Sequence, residues 1–261
     1  MIKEVKSQDV NRISCLIIGS SGIGKTSLLK TILGQDFDIQ KNKWTGEYNH
    51  EKVYVLSAES GLLSVKNLIN ENIIKAYEIN TLKDILEVYN LLSTDEFINN
   101  ISKGGSKWIF IDSLTEIADL CESMLKEKYK DKSDNWGLWS DYSDIMTNII
   151  RKFRSLSQYN VVFTCLDVID KDQNNCRYYA PDVNGKKFPR KLVSLFDEVF
   201  YMIKTPDKTG TEHVAINTGF STLYPAKDRS GDLDVIEKPN LLAIKNKIVG
   251  NQSLPDHLLE N

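Results

Sequence analysis

The chain reads as an α/β protein: a mostly parallel sheet with helices on both faces and antiparallel hairpin additions toward the C-terminus. Three observations lead there. Apolar runs at residues 13–18, 53–57, 108–111 and 161–165 lack polar alternation, the texture of strands buried on both faces. Between them lie stretches with apolar residues at helical spacing, and strands alternating with helices favour parallel pairing. The 261 residues are 41% hydrophobic and 26% charged, enough apolar material for a sizeable core. One domain spanning 1–261 is the simplest organisation, with its core at about 13–248 and a polar tail at 249–261.

In order, residues 13–18 form the first strand and open into a glycine loop. A helix is expected over 25–33, with Gly34 as its C-terminal cap. Residues 36–52 are polar and read as an irregular surface excursion. The second strand, 53–57, is followed by helical sequence at 62–70, a further strand at 73–79 and an amphipathic helix at 82–92. Gly104 and Gly105 break the chain before the third strong strand, which ends at Asp112. Two long helical patterns, 114–129 and 136–157, lead to the fourth strand at 161–165. Residues 166–195, rich in Asp, Asn, Gly, Tyr and Lys, read as hairpins and loops rather than packed helix. Strands at 198–203 and 213–217, a charged loop at 222–239 and a short helix at 239–248 complete the chain.

Composition removes several classes. A net charge of −3 gives no global basic field, so any nucleic-acid binding needs a local patch or aligned copies. Cys15, Cys121, Cys165 and Cys176 form no C-x-x-C, and three histidines are too scattered for zinc; a reducing, cytoplasmic setting is expected. The charged first residues carry no apolar signal core, and no run approaches the roughly 18 apolar residues of a membrane span.

The chemistry begins at GSSGIGKTS, residues Gly19, Ser20, Ser21, Gly22, Ile23, Gly24, Lys25, Thr26 and Ser27. It matches G-x-x-x-x-G-K-[ST] between a strand and a helix, the setting that the pattern requires of a phosphate-binding loop. The glycines let the backbone turn and aim N–H groups inward, where the helix N-terminus adds positive potential. Lys25 reaches the β- and γ-phosphates of a nucleotide such as ATP, and the Thr26 hydroxyl can ligate Mg2+. Asp112, ending WIFID, lies at the carboxyl ends of the strands, where it can hold the metal; Asp112 or Ser113 can instead cap the next helix. Glu59 ends the second strand and can orient and deprotonate the attacking water, with Glu116 as the rival base. Thr164, at the end of the fourth strand, is a candidate contact to the γ-phosphate.

These motifs, in this order, resemble a RecA-like P-loop ATPase core. More narrowly, GSSGIGKTS, SAESGLLS, IDSLTEI, GKKFPRKLVSLFD and AKDRSG followed by a terminal helix are similar to the phage nucleotide-binding proteins of the Sak type, linked to single-strand annealing and recombination. The resemblance spans roughly residues 14–248. It implies a catalytic glutamate at Glu59 and a metal-holding aspartate at Asp112. AKDRSG resembles an element of related motors that reaches into a neighbouring subunit's nucleotide, which makes Lys227 and Arg229 catalytic candidates acting in trans and implies a homo-oligomer or filament. RecA itself ends its fourth core strand with a glutamine; here the sequence is VVFTCLD.

By the same resemblance, loops after the later strands contact single-stranded DNA. The matching region holds Arg177, Tyr178, Lys186, Lys187 and Arg190, suited to phosphates and base stacking. Asp167, Asp170, Asp172 and Asp182 oppose that charge pattern. The implied function is a DNA-stimulated ATPase that promotes annealing, with a single-strand-binding protein as a possible partner. The alternatives are a loader or motor for a replication partner, and a nucleotide-gated switch with little hydrolysis. A small-molecule kinase would need a lid with several arginines, whereas Arg151 and Arg154 read as a surface pair.

Overall fold

The computed structural model describes residues 11–59, 61–99, 105–131, 136–171, 174–206 and 210–250. The first ten residues, the Gly104 break and the tail beyond residue 250 lie outside them. The strands are β1 (Ser14–Ile18), β2 (Asp36–Asp38), β3 (Lys43–Thr45), β4 (Lys52–Ser57), β5 (Ile74–Glu78), β6 (Lys107–Asp112), β7 (Asn160–Cys165), β8 (Asp167–Lys171), β9 (Arg177–Pro181), β10 (Glu198–Pro206), β11 (Glu212–Asn217) and β12 (Ile236–Glu237). The helices are α1 (Leu29–Ile32), α2 (Lys66–Asn70), α3 (Leu82–Leu92), α4 (Asp95–Asn99), α5 (Leu114–Tyr129), α6 (Trp136–Arg154), α7 (Phe188–Ser194) and α8 (Leu241–Ile248).

Eight strands form one sheet in the order β12-β11-β10-β1-β7-β6-β4-β5. The six from β10 to β5 are parallel, and β11 and β12 add antiparallel to one side. The expected parallel sheet with late antiparallel additions is therefore the observed one. Its core is divided by the sheet itself. Leu16, Ile18, Ile109, Ile111, Val161 and Phe163 face α3, α5, α6 and α7. Cys15, Ile17, Val53, Val55, Trp108, Phe110 and Val162 face α1, α2 and α8. Successive strand residues point to opposite faces, so a strand covered on both sides must be apolar at every position.

Several details depart from the sequence reading. The helix after the glycine loop is a 3-10 turn at Thr26–Leu28 continued by α1. Gly34 does end it: with φ of 88° it lies in the left-handed region, and Gln35 N–H donates to Lys30 O in the bonding of a Schellman turn. The expected irregular excursion contains the β2–β3 hairpin, where Phe37 and Trp44 pack edge to face at 5.4 Å. Residues 166–195 hold the β8–β9 hairpin, as expected, but also α7, whose Phe188 and Leu192 are buried. Arg154 is half-buried rather than freely exposed like Arg151: its guanidinium bonds Asp197 at 2.7 Å.

Candidate active site

The carboxyl ends of β1, β4, β6 and β7 converge, and the sheet order decides which residues meet there. β6 is not the neighbour of β1; β7 lies between them. Asp112 nevertheless reaches the glycine loop. Its Oδ2 accepts a 2.6 Å hydrogen bond from Thr26 Oγ1, and its Oδ1 accepts one from Thr164 Oγ1 on the intervening strand. Thr164 thus touches Asp112, a role that its expected contact to a γ-phosphate did not include. Asp112 is only 3% exposed, and its two hydroxyl donors orient the carboxylate and offset its desolvation.

The loop's glycines serve two different needs. Gly22 and Gly24 have φ of 75° and 108°, conformations that side chains resist, while open space surrounds both. Gly19 needs room instead: a Cβ there would come within 3.1 Å of Met202 Cβ on β10. Lys25 is buried, and its ammonium donates to Gly19 O at 2.7 Å and Ser20 O at 3.0 Å. Burial lowers its pKa, and the carboxylates of Asp112 and Glu59 offset part of that loss.

Glu59 follows β4, and its Oε1 accepts from Ser113 Oγ at 2.7 Å. The Ala58 N–H donates to Asp112 O at 2.8 Å, so the end of β4 is tied to the metal-site candidate. Ser113, not Asp112, caps α5: its Oγ accepts from Glu116 N–H. One hydroxyl therefore orients the candidate base and starts the helix. Glu116 stands on the first turn of α5, where burial, then Glu59, then Asp119 raise its pKa. Both candidate bases belong to one acidic cluster beside the loop.

Residues that the sequence reading assigned otherwise complete this region. Asp167, counted above only as a charge opposing DNA, accepts from Ser20 Oγ at 3.2 Å and from Tyr201 OH. Tyr201 stacks on Tyr224 with ring centroids 4.4 Å apart, and Tyr224 stacks on Tyr179 of β9 at 5.3 Å. No local sequence signal joins these residues, since the contacts span four segments.

Lys227 and Arg229 do not gather at the loop of their own chain. The Val199 and Lys227 backbones exchange two 2.9 Å hydrogen bonds, so the 226–231 turn runs along the start of β10, toward the end of the sheet opposite the loop. Arg229, 60% exposed along its side chain, bonds Asp197 Oδ1 at 2.6 Å; Asp197 shares its other oxygen with Arg154. Burial, then Arg229, lowers the pKa of Lys227.

The five DNA candidates lie on the β8–β9 hairpin and the entry to α7, after the carboxyl end of β7. Arg177, Lys186, Lys187 and Arg190 are exposed. Tyr178 OH donates to Asp170 Oδ2 at 2.8 Å, which occupies its polar end. Gly185, with φ of 88°, lies 3.2 Å from the exposed Trp139 ring as measured from where a Cβ would stand.

The donor set fits a magnesium nucleotide. Among the described residues no group of three or more His, Cys, Asp or Glu side chains could hold a metal. One hydroxyl and one carboxylate at 2.6 Å suit Mg2+, which completes its octahedron with water and phosphate oxygens rather than with a protein cage. A parallel sheet with the phosphate loop on β1, an acidic residue ending β6 and an acidic residue following β4 defines a P-loop NTPase core. The family model of the AAA domain matches residues 11–230, and the chain belongs to that family. It is accordingly an AAA-type P-loop ATPase domain, with ATP binding and hydrolysis as its general activity. No curated protein matches the chain. Among the described residues no helix is long and apolar enough to cross a membrane.

Proposed function

We propose that the chain is an ATPase that hydrolyses ATP as a homo-oligomer and couples turnover to single-stranded DNA, serving annealing or recombination in the cytoplasm as its likeness to Sak-type proteins implies. The observation that carries the catalytic part is the chain of contacts from Thr26 to Asp112 to Thr164, beside Ser113 to Glu59. In this reading Lys25 and the loop N–H groups bind the triphosphate, and Thr26 and Asp112 hold Mg2+. The metal supplies charge neutralisation along the phosphates. Glu59, aligned by Ser113, takes the proton of the attacking water, with Glu116 close enough to raise the local negative potential. In this reading Lys227 and Arg229 serve the nucleotide of a neighbouring copy, since the turn that carries them runs along the start of β10 and not at the loop of their own chain.

Single-stranded DNA follows Arg177, Tyr178, Lys186, Lys187 and Arg190. Their position after β7, at the same end of the sheet as the loop, supports coupling between the two sites. A second reading, an ATP-dependent loader acting on a protein partner, draws on the exposed apolar residues Phe220 (89% exposed), Val235 and Ile236 beside the sheet edge. ATP hydrolysis measured with and without single-stranded DNA, with Lys25→Ala as the blank, separates them. Stimulation by DNA that is absent in the blank supports the first reading, and turnover indifferent to DNA turns the case toward the loader.

A further inference from the structure

Glu198 opens β10 and is 4% exposed, a carboxyl group buried at the root of the Lys227–Arg229 turn. Its two oxygens have different surroundings. Oε1 accepts from the N–H groups of Arg229 and Ser230, both at 3.2 Å. Oε2 is buried and meets no donor among the described residues. The side chain that meets the Glu198 carboxyl is another carboxyl group, that of Asp228.

Asp228 is fully supplied with donors. Its Oδ1 accepts from Ser230 N–H, Ser230 Oγ and Gly231 N–H, and its Oδ2 from Leu233 N–H. Burial opposes its charge, but these bonds outweigh burial and hold its pKa below the usual range. Two carboxylates side by side, one of them buried, are unfavourable, and an orphaned anionic oxygen adds a further desolvation cost. Both costs vanish if one proton is shared, and the donor inventory says where it sits: on Glu198 Oε2, donating to Asp228.

We infer that Glu198 is a protonated positioning residue whose hydrogen bond to Asp228 sets the 227–231 turn and so aims Lys227 and Arg229. The inference rests on the reading that these two side chains act on a neighbouring copy. The charged and titratable groups around the pair are Cys15 on β1, Lys227 and Arg229 in the turn, Asp197 before β10 and Arg154 at the end of α6. Burial first, then Asp228, pushes the Glu198 carboxyl from its ordinary 4.5 up to about 7. The stabilising proton is held in full below about 4.5 and lost as pH rises through about 7, so stability and the aim of the turn both fall across that window.

The test is thermal unfolding and steady-state ATP hydrolysis as functions of pH for the full chain, Glu198→Gln, Glu198→Leu and Arg229→Ala. Glutamine keeps a carbonyl for the two N–H groups and an amide N–H for Asp228, but cannot titrate. The expected result is a melting temperature and a kcat that fall through about pH 7 in the parent and stay level in Glu198→Gln, with KM for ATP unchanged. Glu198→Leu, which strands both N–H groups, lowers kcat on the order of tenfold at every pH. A Glu198→Gln protein that keeps the parent's pH slope overturns the shared proton. A Glu198→Leu protein that is folded and fully active overturns the positioning role. Wild-type turnover in Arg229→Ala overturns the underlying in-trans reading, and the melting profiles decide the proton pair on their own.

Discussion

Replacing Thr164 by valine removes one oxygen and almost no volume. Thr164 is fully buried, and its hydroxyl donates to Asp112 Oδ1 and approaches Ile111 O at 3.4 Å. Valine leaves a buried carboxylate with a single side-chain donor, Thr26. A hydrogen bond to a charged group contributes about 1.5–3 kcal/mol, and stranding the acceptor places the cost toward the upper part of that range. For a chain of this size each kcal/mol moves the melting temperature by roughly 2–4 °C, so a drop of roughly 3–12 °C is expected. The same loss frees Asp112 to rotate, and each 1.4 kcal/mol of lost orientation slows ATP turnover about tenfold. The assay is reversible urea unfolding together with Mg2+-dependent ATP hydrolysis for Thr164→Val and Thr164→Ser. Serine keeps the hydroxyl and is expected to retain most of both properties. A valine variant within about 0.5 kcal/mol of the parent, with unchanged Mg2+ dependence, would refute the reasoning.

Glu59→Gln is expected to keep ATP binding while turnover falls about 10²–10⁴-fold, checked by equilibrium nucleotide binding and single-turnover hydrolysis. Gly24→Ala forces a side chain into φ of 108° and costs on the order of 1–3 kcal/mol at the loop, read as weaker nucleotide binding with little change in the circular dichroism spectrum. Lys186→Glu combined with Lys187→Glu is expected to abolish single-strand binding and leave DNA-free ATP hydrolysis intact; titrations across salt concentration check it, and unchanged affinity argues against that surface.

The parts of the fold that were legible in the sequence are those whose signal is local. β1, β6 and β7 are apolar at nearly every position because helices cover both faces, so they stand out as unbroken runs. The glycine loop is legible because φ above zero at Gly22 and Gly24 and close approach at Gly19 are demands on single residues. The rest depends on long-range neighbours. Nothing adjacent to Thr164 says that β7 will be inserted between β1 and β6, and only that insertion brings its hydroxyl to Asp112. Asp167 reads as one of several acidic residues until Ser20 and Tyr201 converge on it from other segments. The β2–β3 hairpin hid in a polar stretch because Phe37 and Trp44 are its only large apolar pair, and β12 is two residues long. Glu198 looks like an ordinary acidic residue at a strand start until the 226–231 turn folds across it.

The two edges of the sheet have a consequence for how copies of the chain can meet. One edge strand, β12, is a two-residue stub, and the other, β5, carries the outward-facing Lys75 and Glu78. Neither offers a long, uncharged row of backbone donors and acceptors to a second sheet. Association by strand addition is thereby disfavoured, and copies in the proposed homo-oligomer would meet through side chains on the layer surfaces. Contacts of that kind can be made and released without opening the backbone ladder, so the proposed assembly could change its spacing while each sheet stays whole.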